Sequence, residues 1–144
     1  MKTRGFEKLH DGATMPTRAT KNSAGYDIYA QNSYIVMPNE VVKVCTGICA
    51  YMQSDEYLAI FIRSSLAIKK RIVLANGVGI IDADYYHNID NMGEIIVAVK
   101  NEGSEPVEIK KGDRIAQGIF MKYLLADKDC AETIRTGGIG STLR

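Results

Sequence analysis

The sequence predicts an all-β fold, a jelly-roll-like sandwich or barrel with one short helix. Three observations carry this expectation. Short runs rich in β-branched and aromatic residues follow one another along most of the chain. Turn-forming clusters separate them, at Pro38-Asn39, Glu102-Gly103-Ser104 and Lys111-Gly112-Asp113. A single stretch, "SSLAIKKR" at 64–71, reads as helix, and at about two turns it is an insert rather than a layer.

The elements follow in order. In "SAGYDIYA" (23–30), alternation puts Tyr26, Ile28 and Ala30 on one face and Asp27 and Tyr29 on the other. "EVVKVCTGICAYM" (40–52) and "EYLAIFIR" (56–63) read as strands. Ser64 and Ser65 then supply candidate helix caps. "RIVLANGVGIID" (71–82) and "GEIIVAVKN" (93–101) are strand runs, and "VEIKKGDRIAQGIFMKYLL" (107–125) is two runs around a turn. Several runs are apolar on both faces, as in packed sheets with little exposure. Residues 133–144, "TIRTGGIGSTLR", are rich in Gly, Ser and Thr and have little to pack. The expected organisation is a β domain over 1–132 and a flexible C-terminal arm over 133–144.

Bulk properties narrow the function. With 144 residues, 46% hydrophobic and 24% charged, one domain with a real core is expected. No apolar run is long enough to span a membrane, and "MKTRGFEKLHDG" lacks a secretory apolar stretch, so a cytoplasmic setting is expected. A net charge of +1 argues against a broad electrostatic grip on nucleic acid, but not against a small anion held by local cations. The odd cysteine count (Cys45, Cys49, Cys130) suggests reduced thiols. Cys45 and Cys49, if on one strand, would sit ~13 Å apart, too far to share a metal, and read as small buried hydrophobes. His10 and His87 are isolated and receive no role.

Three polar clusters stand out, each with a plain alternative. Asp82 and Asp84, in one strand, would share a face; they are either a solvated strand end or a catalytic base with a neighbour. Arg63-Ser64-Ser65 is either a capped helix start or an anion site. The arm carries Arg135, glycine backbone, Ser141 and Thr142, groups suited to wrapping a phosphate.

Five segments in this order resemble the trimeric dUTPase family. They are "AGYDIYA" (24–30), "RSSLA" (63–67), "NGVGIIDADYY" (76–86) with "GEI" after it, "GDRIAQ" (112–117) and "RTGGIGST" (135–142). The resemblance covers about residues 24–142. It implies a threefold homotrimer with active sites between subunits, each covered by an arm from a neighbour, and Mg-dependent hydrolysis of dUTP to dUMP and pyrophosphate. That activity limits uracil incorporation into DNA and supplies dUMP for dTMP synthesis. By similarity, Asp82 activates the water that attacks the α-phosphorus, and Tyr85 packs on the deoxyribose. Asn76 with nearby backbone reads the uracil edge, and the pocket beside Gly79 is tight against the thymine methyl. Asp27 corresponds to the aspartate that holds Mg²⁺ through water. Arg63, Ser64 and Gln117 correspond to phosphate contacts, with Ser65 standing where a glycine is usual. Arg135, Ser141 and Thr142 correspond to the clasp on the γ-phosphate.

Two further departures carry expectations. Ile139 stands where the family has an aromatic residue stacking on uracil, which implies weaker lid closure. The segment 86–92 is an insertion, read as an exposed hairpin tip or as a surface for a regulatory partner protein. The rival enzyme, a dCTP deaminase, would need a glutamate in "IIVAVKN", which has none. A regulatory binding protein without essential catalysis is the rival from another class.

Overall fold

The computed structural model describes residues 1–140. The element order is β1 (Gly5–Lys8), β2 (Thr17–Arg18), β3 (Tyr26–Tyr29), β4 (Tyr34–Val36), β5 (Val41–Cys45), β6 (Ile48–Tyr51) and β7 (Glu56–Ile62). Helix α1 (Ser64–Lys70) follows, then β8 (Ile72–Leu74), β9 (Gly79–Asp82), a 3-10 turn (Ala83–Tyr85), β10 (Ile96–Asn101), β11 (Val107–Ile109) and β12 (Arg114–Lys122). Every strand pair is antiparallel. The largest sheet runs β2-β3-β12-β7-β9; smaller ones are β5-β10-β8, β1-β6 and β11-β4. This is the many-stranded jelly-roll arrangement that the sequence predicts.

One core joins the sheets. Ile28, Leu58 and Ile115 from the large sheet are fully buried with Val44, Ile72, Val97 and Val99 from the β5-β10-β8 sheet and Ile48 from β6. The strict B-i-B-i burial of β10 shows one face in the core. Asn101 is buried at its end, where its amide donates to the carbonyls of Val36 and Glu105 and its Oδ1 accepts from Gly103 N–H. Those bonds tie three chain segments and satisfy a polar group that would otherwise be costly.

Several expectations need correction. The run 40–52 is two strands, because Gly47 (φ +69) breaks it and turns the chain into a different sheet. Cys45 and Cys49 therefore belong to different sheets, and only Cys49 is buried. The run 71–82 likewise breaks at Gly77 (φ +75) into β8 and β9. Asp82 ends β9 and Asp84 lies in the 3-10 turn, so they do not share a strand face. Neither serine caps α1: the N-cap is Arg63, without a side-chain cap bond. Arg71 closes the helix in the left-handed region (φ 55). Strands β1, β2 and β4 are short and patterned too weakly to be read from the sequence.

Among the described residues, no helix is long and apolar enough to cross a membrane. The arm carries no helix or strand through residue 140, and Ser141 and Thr142 lie outside the described residues.

Candidate active site

The end of β9 builds one half of the site. The ladder pairs Tyr57 with Asp82 and Ile60 with Gly79. A Cβ on Gly79 would sit 2.9 Å from Cβ of Ile60, so only glycine lets β7 and β9 pack this closely. Beyond Asp82 the 3-10 turn swings the Tyr85 ring back toward the core. Its hydroxyl donates to the Glu94 carbonyl at 2.7 Å and accepts from Asn91 Nδ2 at 2.8 Å. Burial raises the Tyr85 pKa, so the phenol stays neutral and keeps its donor.

These groups line a cleft of about 290 Å³ that contains Asn76, Gly79, Asp82, Tyr85, Arg135 and Ile139. Six of the sequence-predicted site residues thus converge from two segments of the chain, 76–85 and 135–139. The arm reaches the cleft within its own chain. Arg135 donates from Nη2 to Asp82 Oδ2 and from Nε to Asp84 Oδ1, both at 2.7 Å. Its Cζ stands 5.7 Å from the centre of the Tyr85 ring. Gly138 N–H donates to Asp90 at 2.8 Å, so the 86–92 loop anchors the arm. The sequence reading sent the arm to a neighbouring copy; its described residues here lie against their own β9.

The remaining predicted residues form a second half elsewhere. Asp27 and Gln117 are direct cross-strand partners, and Gln117 also faces Phe61. Asp27 is only 8% exposed and faces Arg63 at 3.5 Å and Arg114 at 3.4 Å. Gln117 lies against Gly25, whose missing side chain makes room for it. Arg63, Ser65, Lys69, Lys70 and Arg114 line an adjoining groove, and Ser64 is exposed at the start of α1. This half is cationic and suits phosphate; the other half is aromatic and apolar and suits a base and sugar.

The ladder fixes the distance between the halves. From Asp27 on β3 to Asp82 on β9 is three strand spacings across, ~14 Å. Along β7, Phe61 and Tyr57 mark an offset of four residues, ~13 Å. The separation is therefore about 19 Å, too far for one triphosphate to reach both halves of a single chain.

Sequence reading missed three residues here. Arg114 sits inside a quoted segment, but nothing local points its side chain at Asp27. Asn91 and Asp90 read as loop-tip polar residues, yet they hold Tyr85 and the arm. Their partners are distant in sequence or backbone amides, which no pattern records.

The dUTPase family model matches residues 11–142. A deoxyuridine 5'-triphosphate nucleotidohydrolase of Lactococcus lactis is 46% identical over 148 aligned positions, covering 99% of both chains. The crystal structure of a dUTPase from Streptococcus mutans superposes with a TM-score of 0.81 at 42% identity, covering 85% of this chain and 98% of that one. A dUTPase of Staphylococcus bacteriophage 80alpha, described as controlling transfer of virulence genes, shares the fold at TM-score 0.77 and 23% identity, covering 91% and 97%. Its family model spans nearly the whole chain and a near-full-length relative approaches half identity, so the chain belongs to the dUTPase family.

Proposed function

We infer that this chain hydrolyses dUTP to dUMP and pyrophosphate at sites completed by more than one copy. The observation that carries this reading is the Asp82 carboxylate at the end of β9, beside the Tyr85 ring and within reach of the arm's only described arginine. Asp82 orients a water and accepts its proton while the oxygen attacks the α-phosphorus. The bridging oxygen leaves with pyrophosphate. Asn76 and neighbouring backbone hydrogen-bond the uracil edge, and unpaired donors would face cytosine. Tyr85 packs on the deoxyribose and excludes a 2′-hydroxyl.

The phosphate half fits the rest of the substrate. Arg63, Ser64, Ser65 and Gln117 bind the phosphate chain, and Arg135 exchanges its two carboxylates for the γ-phosphate. Ser141 and Thr142 join that clasp as the arm closes; Ile139 covers the base. Residues 1–132 act as the catalytic body and 133–144 as its closing arm.

The Asp27 site suits a hard cation held through water. Its carboxylate is buried beside a groove for phosphate, and its arginine contacts are long enough to be replaced. When bound, Mg²⁺ supplies charge neutralisation across the triphosphate. Arg63 and Arg114 are then released toward phosphate oxygens.

The separation of about 19 Å between the halves supports a homotrimer in which Asp27, Arg63 and Gln117 of one copy face Asp82 and Tyr85 of the next. Free cysteines among the described residues fit a cytoplasmic setting. Exposed Ile89 and Met92 on the 86–92 loop favour a second role in binding a regulatory protein; retention of a partner by the wild type but not by Ile89→Asp would support it.

The test is pyrophosphate release from dUTP, dCTP, dTTP and UTP, with and without Mg²⁺. Turnover confined to dUTP and abolished in Asp82→Asn is expected. Equal turnover of UTP would remove the role given to Tyr85.

A further inference from the structure

Outside the cleft, a thiol, an imidazole and a carboxylate meet. Glu7 on β1 and Cys49 on β6 are direct cross-strand partners, so their side chains leave the ladder on the same face. His87 arrives from the 86–92 loop, with Nε2 at 3.5 Å from Glu7 Oε2. One ligand atom from each of the three residues lies within 4.8 Å of the others. We propose that Glu7, Cys49 and His87 form a zinc site that pins the 86–92 loop to the β1–β6 ribbon. The site stands apart from the reading of dUTP hydrolysis.

The donor set is the first argument. Thiolate, imidazole and carboxylate together suit Zn²⁺, and two anionic ligands neutralise the dication. Zinc bonds of ~2.0–2.1 Å at the tetrahedral angle separate nitrogen and oxygen ligands by about 3.4 Å. The Glu7–His87 separation is already close to that. A water completes the fourth position.

The surroundings are the second argument. The two oxygens of Glu7 divide their work: Oε1 accepts from the Tyr86 hydroxyl and from Lys2 Nζ, while Oε2 faces His87. Outer partners that hold a ligand carboxylate in this way are a usual support of metal sites. The His87 ring is also held, stacked on Tyr86 with centroids 3.7 Å apart.

The loop that presents His87 is built rather than loose. Asn88 is buried; its amide donates to the Tyr85 carbonyl and to Asn91 Oδ1, and its own oxygen accepts from the N–H groups of Asp90 and Asn91. His87 itself lies at φ 55, an uncommon conformation for a residue with a side chain. Gly93 closes the loop at φ +82, where a Cβ would meet the His87 backbone nitrogen at 2.9 Å. The insertion thus holds one imidazole within 4.8 Å of one thiol.

Burial pushes the Cys49 thiol up to about 11, so without metal it is protonated and inert. Binding forms the sulfur–zinc bond as the thiol proton leaves to solvent.

The experiment uses full-length Cys130→Ser protein, because Cys130 is an exposed thiol that would compete. After chelator treatment and dialysis, Zn²⁺ is titrated against a chromogenic chelator, and Co²⁺ is added as a spectroscopic probe. One zinc per chain is expected. The cobalt form should show a thiolate charge-transfer band that Cys49→Ser abolishes. His87→Gln should weaken zinc binding at least ~10-fold. His87 is exposed, so that variant keeps the fold and decides the matter if Cys49→Ser does not. Absence of stoichiometric zinc, a cobalt spectrum without the thiolate band, or equal affinity in His87→Gln would overturn the proposal and leave a plain His87–Glu7 ion pair.

Discussion

Arg135 donates to Asp82 at 2.7 Å, placing the arm's guanidinium on the carboxylate proposed to activate water. The same guanidinium takes Asp84 and covers part of the Tyr85 ring. A base held in this way is neutralised by its partner, and the face of the ring where a sugar would stack is occupied. In the proposed mechanism, turnover therefore requires Arg135 to leave two carboxylates for the phosphates of the substrate. The exchange is balanced, because a triphosphate offers more charge than the pair it replaces.

Asp84 opposes that exchange without taking part in chemistry. Its side chain is 61% exposed, so the pair with Arg135 is worth about 0.3–1 kcal/mol after solvent screening. Asp84→Asn should lower KM for dUTP by roughly 2–5-fold and leave kcat nearly unchanged. Steady-state kinetics of the two proteins side by side decide this. A fall in kcat as large as that of Asp82→Asn would make Asp84 part of the reacting centre.

Ile139 lines the cleft yet is 64% exposed, so the arm covers it with an aliphatic group that packs incompletely. An aromatic ring there would gain a stacking contribution of roughly 0.5–1.5 kcal/mol. Ile139→Phe should raise kcat/KM for dUTP by about 2–10-fold. Unchanged kinetics would show that this position does not touch the base.

In the proposed mechanism Tyr85 discriminates against a ribose, and it does so only if its ring is held still. Asn91 supplies that restraint by donating to the phenol oxygen at 2.8 Å, and it also accepts from Asn88 and Gly93. Asn91→Ala removes the restraint without touching substrate. Turnover of UTP relative to dUTP should rise by roughly 5–20-fold, in keeping with loss of one or two buried hydrogen bonds. Selectivity equal to wild type, with the fold intact by circular dichroism, would assign the restraint to the Glu94 carbonyl alone.

Fold class was legible in the sequence because alternation and turn chemistry are local. "GDRIAQG" yields β12 after a glycine turn, and "SSLAIKKR" yields α1 to within one residue. What failed was also local in cause. Gly47 and Gly77 break apolar runs that read as continuous, since a left-handed glycine leaves no trace in hydrophobic pattern. The candidate site was legible as five segments, but not as two clusters. Their separation comes from strand order β3-β12-β7-β9, and sequence spacing says nothing about which strands lie between. The Glu7–Cys49–His87 cluster was invisible for the same reason: each member is solitary in the chain, and only the β1–β6 register and the fixed loop bring them together.

Stability in acid should depend on Glu56. Its side chain is buried at the start of β7; Arg4 Nη2 lies 2.7 Å from one carboxylate oxygen and Gln53 N–H donates to the other at 2.9 Å. The Arg4 hydrogen bond leads in holding the Glu56 pKa below its ordinary value, and the Gln53 amide adds to it. A carboxyl with a depressed folded pKa stabilises the protein fully above its unfolded pKa, about 4.3, and that stabilisation is lost as pH falls through the folded value. Arg4→Ala removes the leading cause. Its Tm should lie roughly 2–5 °C below wild type at neutral pH, and the gap should narrow as pH falls from about 4.3 and close once pH is below the depressed folded pKa of Glu56, where both proteins carry it protonated. Glu7 also titrates low, through Tyr86 and Lys2, but it does so in both proteins and cancels in the difference. Thermal melts at neutral, mildly acid and strongly acid pH measure the gap directly. A gap that stays constant across the series would mean that Arg4 acts through packing of its stem and not through the charge of Glu56.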